Sequence, residues 1–138
     1  MQILEHINSR EDLLAVPWEQ EAQLCQEIRQ WLVQNVAMTG GHLASNLGIV
    51  ELQVAIEKEF DTRRDRLVFD VGHQSYVHKI LTGRRDAMTG LRTLDGISGF
   101  PKPDESETDA FVAGHASNAV SVALGMARAR TLQGADYN

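Results

Sequence analysis

Cysteine is nearly absent from this chain: of 138 residues only Cys25 carries a thiol, which excludes an intramolecular disulfide and a cysteine metal cluster. Its place in a helical stretch reads as a small buried hydrophobe rather than a nucleophile. Aromatic side chains make up only 6% of the sequence against 43% hydrophobic residues, so any core is built mainly from aliphatic groups. Long apolar runs are lacking too. None approaches the ~20 residues of a membrane span, and the amino terminus has no basic segment followed by an apolar stretch. A cytoplasmic protein without a membrane partner is expected. Basic residues are in deficit, 13 against 19 acidic for a net charge of −6, which leaves no broad positive field for nucleic acid. An anionic ligand would have to be held locally, by helix amino termini, loop amides or a metal ion. The charged fraction of 23% and the apolar content argue for one folded domain and against disorder.

What is present is alternation. Asn8 or Ser9 followed by Arg10-Glu11-Asp12-Leu13-Leu14 reads as a short capped helix, and Pro17 suits the first turn of a longer one. From there to about Ala37, the residues Leu24, Ile28, Trp31, Leu32 and Asn35 fall at helical spacing, and Gly40-Gly41 ends the run. A second, mostly buried helix is expected from Leu47 to Phe60, with Glu51 structural. Arg66 to Asp70 reads as a short buried strand leading into Gly72-His73, then a helix from about Ser75 to Leu81. A long loop covers Gly99 to Glu107. Asp109 to Ala113 is the next strand candidate, and Ser117-Asn118 is placed to cap a helix that begins near Ala119 and stops at Gly134. Helix and apolar strand in turn favour an α/β fold with a parallel sheet flanked by helices.

Three blocks place histidine beside glycine at junctions between these elements: Gly40-Gly41-His42-Leu43-Ala44-Ser45, Asp70-Val71-Gly72-His73-Gln74-Ser75 and Gly114-His115-Ala116-Ser117. One Gly-His pair carries little information, because such a histidine is usually a satisfied hydrogen-bonding residue. Three at element junctions suggest a single pocket built on loops. His73 follows a predicted strand, and ligands of parallel-sheet proteins bind at the carboxyl ends of strands. His78 reads as a capping or packing residue, and Lys79, Arg84 and Arg85 as a solvated basic turn.

The blocks, their order and their spacing resemble the amino-terminal part of the 1-deoxy-D-xylulose-5-phosphate synthase family, thiamine-diphosphate enzymes of the transketolase-like superfamily. The likeness runs from about Leu24 to Ala129. It includes Asn46-Leu47-Gly48-Ile49-Val50-Glu51-Leu52, His78-Lys79-Ile80-Leu81-Thr82-Gly83-Arg84-Arg85 and Ser98-Gly99-Phe100-Pro101-Lys102. Thiamine chemistry needs its cofactor bent, deprotonated at the thiazolium carbon and shielded, with the protein supplying orientation and proton handling. By resemblance His42 is a catalytic residue at the substrate end of the cleft, assisting proton transfer or hydrogen bonding to the reacting carbonyl. His73 is both catalytic and a cofactor contact. Gly114, His115 and Ala116 complete the cofactor contacts; Ala116 stands where the family usually has serine, so a hydroxyl is missing there while backbone contacts remain.

The resemblance implies pyruvate and D-glyceraldehyde 3-phosphate as substrates of the complete enzyme, with thiamine diphosphate and Mg2+ as cofactors. It also implies a homo-oligomer or a complementing subunit. The family's Gly-Asp-Gly and downstream Asn, which hold magnesium and the diphosphate, do not occur in this sequence, so no metal ligand is assigned here. Residues 1–138 are therefore expected to be an incomplete diphosphate-binding domain, inactive alone and poorly behaved as a monomer. Two alternatives stay open: a subunit of another transketolase-like enzyme, and a non-catalytic remnant that binds a homologous subunit.

Overall fold

A computed structural model describes residues 2–138. A 3-10 turn at Leu4–His6 leads into α1 (Arg10–Leu14), whose start is closed reciprocally. The Ser9 hydroxyl accepts from the Asp12 amide, and the Asp12 carboxylate accepts from the Ser9 hydroxyl and the Asn8 amide. Pro17 then sits at the cap of α2 (Trp18–Thr39), the longest element. One face of α2 carries Leu24, Ile28, Leu32 and Val36 at fourfold spacing, all buried. That stripe is the spine of the core. Glu27 lies beside it and is also buried, accepting from the Leu4 amide and from Gln23, which docks the amino-terminal turn.

The helical run after His42 is divided into α3 (Leu43–Leu47) and α4 (Val50–Glu59). Val50 and Val54 of α4 face the core, while Gln53 and Glu57 are buried along the next stripe. Arg10 closes the other end of α4, donating to the carbonyls of Glu57, Lys58 and Phe60. This arrangement satisfies orphan carbonyls at a helix carboxyl terminus. All of α5 (Tyr76–Lys79) is buried. It continues through a π turn at Ile80–Arg84 into a 3-10 turn at Asp86–Gly90, whose Met88 joins the core. The last helix, α6 (Ala119–Gln133), has no buried residue.

The expected parallel sheet is not formed: among the described residues there is no strand, and the fold is helical. The segments read as strands, 66–70 and 109–113, are irregular. Apolar runs of that length become strands only when a neighbour accepts their ladder of hydrogen bonds, and these two do not pair with each other. Their backbone groups go elsewhere. The Arg66 amide donates to the Asn138 carbonyl, the Asp109 amide to Ser106, and the Asp70 carbonyl accepts from the Gln74 side chain. The basic turn is corrected as well. Lys79 is fully buried, Arg84 nearly so, and Arg85 reaches inward to the carbonyls of Leu4 and Ile7.

Candidate functional site

Two of the three Gly-His blocks converge. The His42 and His73 rings lie edge to face with centroids 5.0 Å apart and planes at 63°, and Phe100 flanks His42 at 6.3 Å. His42 is exposed and His73 partly so, which leaves both imidazoles accessible to a small molecule. The glycines before them are required sterically. A Cβ on Gly41, whose φ is +148°, would stand 2.8 Å from the Tyr76 hydroxyl; one on Gly72, at φ +90°, would stand 2.7 Å from both Ala113 and Pro101.

Buried polar groups fix this convergence. Asn46, fully buried on α3, donates to the His42 carbonyl at 2.6 Å and the His73 carbonyl at 2.8 Å, and its oxygen accepts from the Tyr76 amide at 2.8 Å. The Tyr76 hydroxyl accepts from the His42 amide at 3.3 Å. Sequence reasoning missed Asn46 and Tyr76. The available signal was a lone amide between Leu43, Leu47 and Val50, because a polar group on an apolar face must find partners.

The third block lies alongside without joining the pair. Ala113 packs against Gly72, and the Ser117 amide donates to both oxygens of Asp70 at 2.9 and 3.1 Å. Val71 and Ser117, the residues flanking this bridge, both adopt left-handed φ near +64° and +68°. For a β-branched residue such as Val71 that conformation is strained, and strain of this kind gathers at functional loops. Gly114, His115 and Ala116 are exposed, and no ring contact joins His115 to the other two histidines. The expected cap is also corrected: Asn118 occupies the cap position of α6 without a side-chain bond to the helix, and Ser117 uses its amide on Asp70 instead.

Behind the pair, α5 carries a buried charge network. His78 packs on Phe69 at 5.6 Å and is held between two carboxylates, Nδ1 at 2.5 Å from Glu57 and Nε2 at 2.9 Å from Asp109. Neutral imidazole has one donor nitrogen, so this geometry calls for the imidazolium. Burial opposes that charge, but the hydrogen bonds from Asp109 and Glu57 outweigh it and raise the pKa. Arg84 grips both oxygens of Asp109 at 2.8 Å each. Burial alone would raise the Asp109 pKa, yet the bonds from His78 and Arg84 hold it far below the usual carboxylate range. Lys79 pairs with Glu105 and donates to the Ser98 carbonyl; burial lowers its pKa. His78, Lys79 and Arg84 thus balance Glu57, Glu105 and Asp109, tying the 98–109 loop to α4 and α5. Glu51 is an exposed partner of Arg29, and Cys25 is buried, its thiol pKa pushed up by burial.

Comparison with known proteins identifies the family of the chain. Residues 4–138 match the family model described as 1-deoxy-D-xylulose-5-phosphate synthase. Relatives carrying that name include a protein of Syntrophomonas wolfei, 59% identical over 133 residues that make up 96% of this chain and 21% of the relative. Others come from Natranaerobius thermophilus, 53% identical, with 97% of this chain and 21% of the relative covered, and Thiobacillus denitrificans, 58% identical, covering 97% and 22%. The chain spans about a fifth of the length of the curated relatives it matches. It belongs to the 1-deoxy-D-xylulose-5-phosphate synthase family, and corresponds to that family's amino-terminal portion.

Proposed function

We propose that this chain supplies one wall of a thiamine-diphosphate cleft in an enzyme that condenses pyruvate with D-glyceraldehyde 3-phosphate. In that reaction C1 of pyruvate leaves as carbon dioxide and the remaining two-carbon unit bonds to the aldehyde carbon, giving a precursor for isoprenoids, thiamine and pyridoxal. The observation that carries the reading is the approach of His42 and His73 to 5.0 Å on loops held by one buried amide. Two unpartnered amide acceptors favour a polar ligand with N–H or O–H donors beside them. Gln74 Oε1 and Asn118 Oδ1 are enclosed without a hydrogen-bond partner, one on each of the loops bridged by Asp70, and the space around Gly114 is open. When bound, the cofactor supplies the carbon that takes up the pyruvate carbonyl and carries the electron pair released with carbon dioxide.

The chain's own residues position and move protons. His42 hydrogen-bonds the reacting carbonyl and exchanges a proton with its oxygen. His73 contacts the cofactor and steadies the reacting group. Backbone amides of Gly114, His115 and Ala116 serve cofactor oxygens at the amino end of α6. Among the described residues no group of three or more His, Cys, Asp or Glu side chains could hold a metal ion. No step assigned to this chain runs through magnesium, and the family resemblance puts its ligands in the part of the relatives that this chain does not cover. Among the described residues no helix is long and apolar enough to cross a membrane. We assign the working enzyme to the cytoplasm, as a homo-oligomer or a complemented assembly.

The test is reconstitution. The purified chain alone is expected to give no condensation of pyruvate with glyceraldehyde 3-phosphate. Activity is expected on mixing with a chain carrying the rest of a relative's sequence, and to fall at least about 100-fold with His42→Ala. Failure to bind thiamine diphosphate in that mixture would overturn the reading.

A further inference from the structure

The shape of Asn46's bonding reveals more than a buried amide made comfortable. Its side chain has two N–H donors and one carbonyl acceptor. Each is used on a different piece of chain: the donors on the His42 and His73 carbonyls, the acceptor on the Tyr76 amide. Exchanging oxygen and nitrogen would aim an oxygen at two carbonyl oxygens and an N–H at an N–H, so this orientation is the one the surroundings permit. Aspartate would bring a carboxylate against the same two carbonyls. Leucine or alanine would leave the His73 carbonyl and the Tyr76 amide unpaired, and the His42 carbonyl with only a 3.4 Å bond from the Ser45 hydroxyl, around a side chain with no exposure to water.

Besides Asn46, the Tyr76 hydroxyl on the His42 amide is the other hydrogen bond that ties the His42 loop to the segment after His73. Gly41 and Gly72 give each loop backbone freedom, and neither histidine ring is deeply buried. A 1 Å change between reacting groups can cost a large factor in rate. We propose that Asn46 is a positioning residue: by bonding both loop carbonyls at once it sets the spacing of the His42 and His73 imidazoles. Its catalytic meaning rests on the function proposed above, whereas the clasp itself is a property of this chain.

The experiment separates the two. In the full chain with ring-labelled histidine, a nuclear Overhauser contact between the His42 and His73 ring protons is expected at neutral pH. The side-chain amide hydrogens of Asn46 should exchange at least about 100-fold more slowly than those of an exposed asparagine. Asn46→Ala and Asn46→Asp should each abolish the ring contact while the methyl signals of Leu24, Ile28 and Leu32 stay in place. Tyr76→Phe, which removes one bond to His42 only, should retain it. Persistence of the ring contact in either folded Asn46 variant overturns the proposal, as does its loss in Tyr76→Phe alone. Should neither Asn46 variant fold, the wild-type exchange rate decides: unprotected Asn46 hydrogens overturn it and protected ones support it. No cofactor is present in these measurements, so absent thiamine diphosphate binding would end the functional reading and leave the clasp intact.

Discussion

Helices α2 and α6 are both rich in aliphatic side chains and meet opposite fates. In α2 the stripe Leu24, Ile28, Leu32 and Val36 is sealed inside the molecule. In α6, Val120 is 81% exposed and Leu124 and Leu132 are each 70% exposed. The contrast shows that apolar content alone does not place a helix in a core. The polar residues of α2 leave one face apolar, and Glu27 on its margin is bonded to the incoming amino terminus. Apolar residues of α6 are spread around its circumference, and its attachments to the rest of the chain are polar or lie near its ends. Asp70 holds Ser117 at one end; the tail beyond the other end folds back so that Tyr137 reaches the Met126 carbonyl at mid-helix, and Arg66 lies 5.1 Å over the Tyr137 ring. The core is therefore where substitutions should register, and α6 where they should not.

The largest effect should come from the charge network that closes the core. Asp109→Ala leaves Arg84 and His78 without their shared carboxylate and frees the Lys102 amide as well. Breaking a buried pair by removing one partner costs about 3–5 kcal/mol, to be read from urea unfolding midpoints at constant slope. The network also sets a pH window. His78's folded pKa is raised, so its contribution is complete below its ordinary value near ~6.5 and is lost as pH climbs through the folded value. The Asp109 pKa is depressed, so its contribution is complete above ~3.9 and is lost as pH falls through the folded value. Lys79 is lowered by burial and acts with the opposite sign to His78 toward alkaline pH. Unfolding free energy measured against pH should accordingly lose its His78-linked alkaline decline in a His78→Gln variant; an unchanged alkaline limb would show that the imidazolium is not what Glu57 and Asp109 hold.

Next in size is the apolar spine itself. Leu32 is fully enclosed on α2, and Leu32→Ala should cost about 2–5 kcal/mol through lost transfer and a residual cavity. A smaller and opposite effect is expected at Ser75. Its hydroxyl is buried at the start of α5 with no hydrogen-bond partner, and a stranded polar group costs about 1–3 kcal/mol. Ser75→Ala should therefore stabilise the chain, by about 1 kcal/mol in the same denaturation assay. A loss of stability would mean that the hydroxyl has a partner after all.

Local signals carried much of this structure, and long-range ones did not. Ser9 closes α1, Pro17 precedes α2, and Gly134 ends α6, because caps and breakers act within one turn. The Leu47 to Phe60 helix was legible from its apolar spacing; its interruption between Leu47 and Val50 was not. The strands failed for a physical reason: an extended run has no structure of its own until another run pairs with it. At the site, the glycines pointed to His42 and His73, whereas Asn46 and Tyr76 became visible only when the loops met. Lys79, Arg84 and Arg85 looked like a solvated basic turn, and His78 like a capping or packing residue, because sequence spacing cannot reveal that Glu57, Glu105 and Asp109 fold over them.

The smallest expected effect lies on α6 and completes the contrast. Leu124→Ala removes the same atoms as Leu32→Ala, so side-chain chemistry is held constant and only environment differs. With 70% of Leu124 exposed, little apolar surface returns to water on truncation and no cavity forms, and alanine is the better helix former. The change in unfolding free energy should stay within about 0.5 kcal/mol. Sedimentation of the same variant offers an independent reading, because Val120 and Leu124, one turn apart and both exposed, form a contiguous apolar surface of the kind that promotes association. Reduced self-association with unchanged stability would confirm that Leu124 faces solvent, while a cost comparable to that of Leu32→Ala would mean that α6 is packed in solution and that the difference between the two helices does not hold.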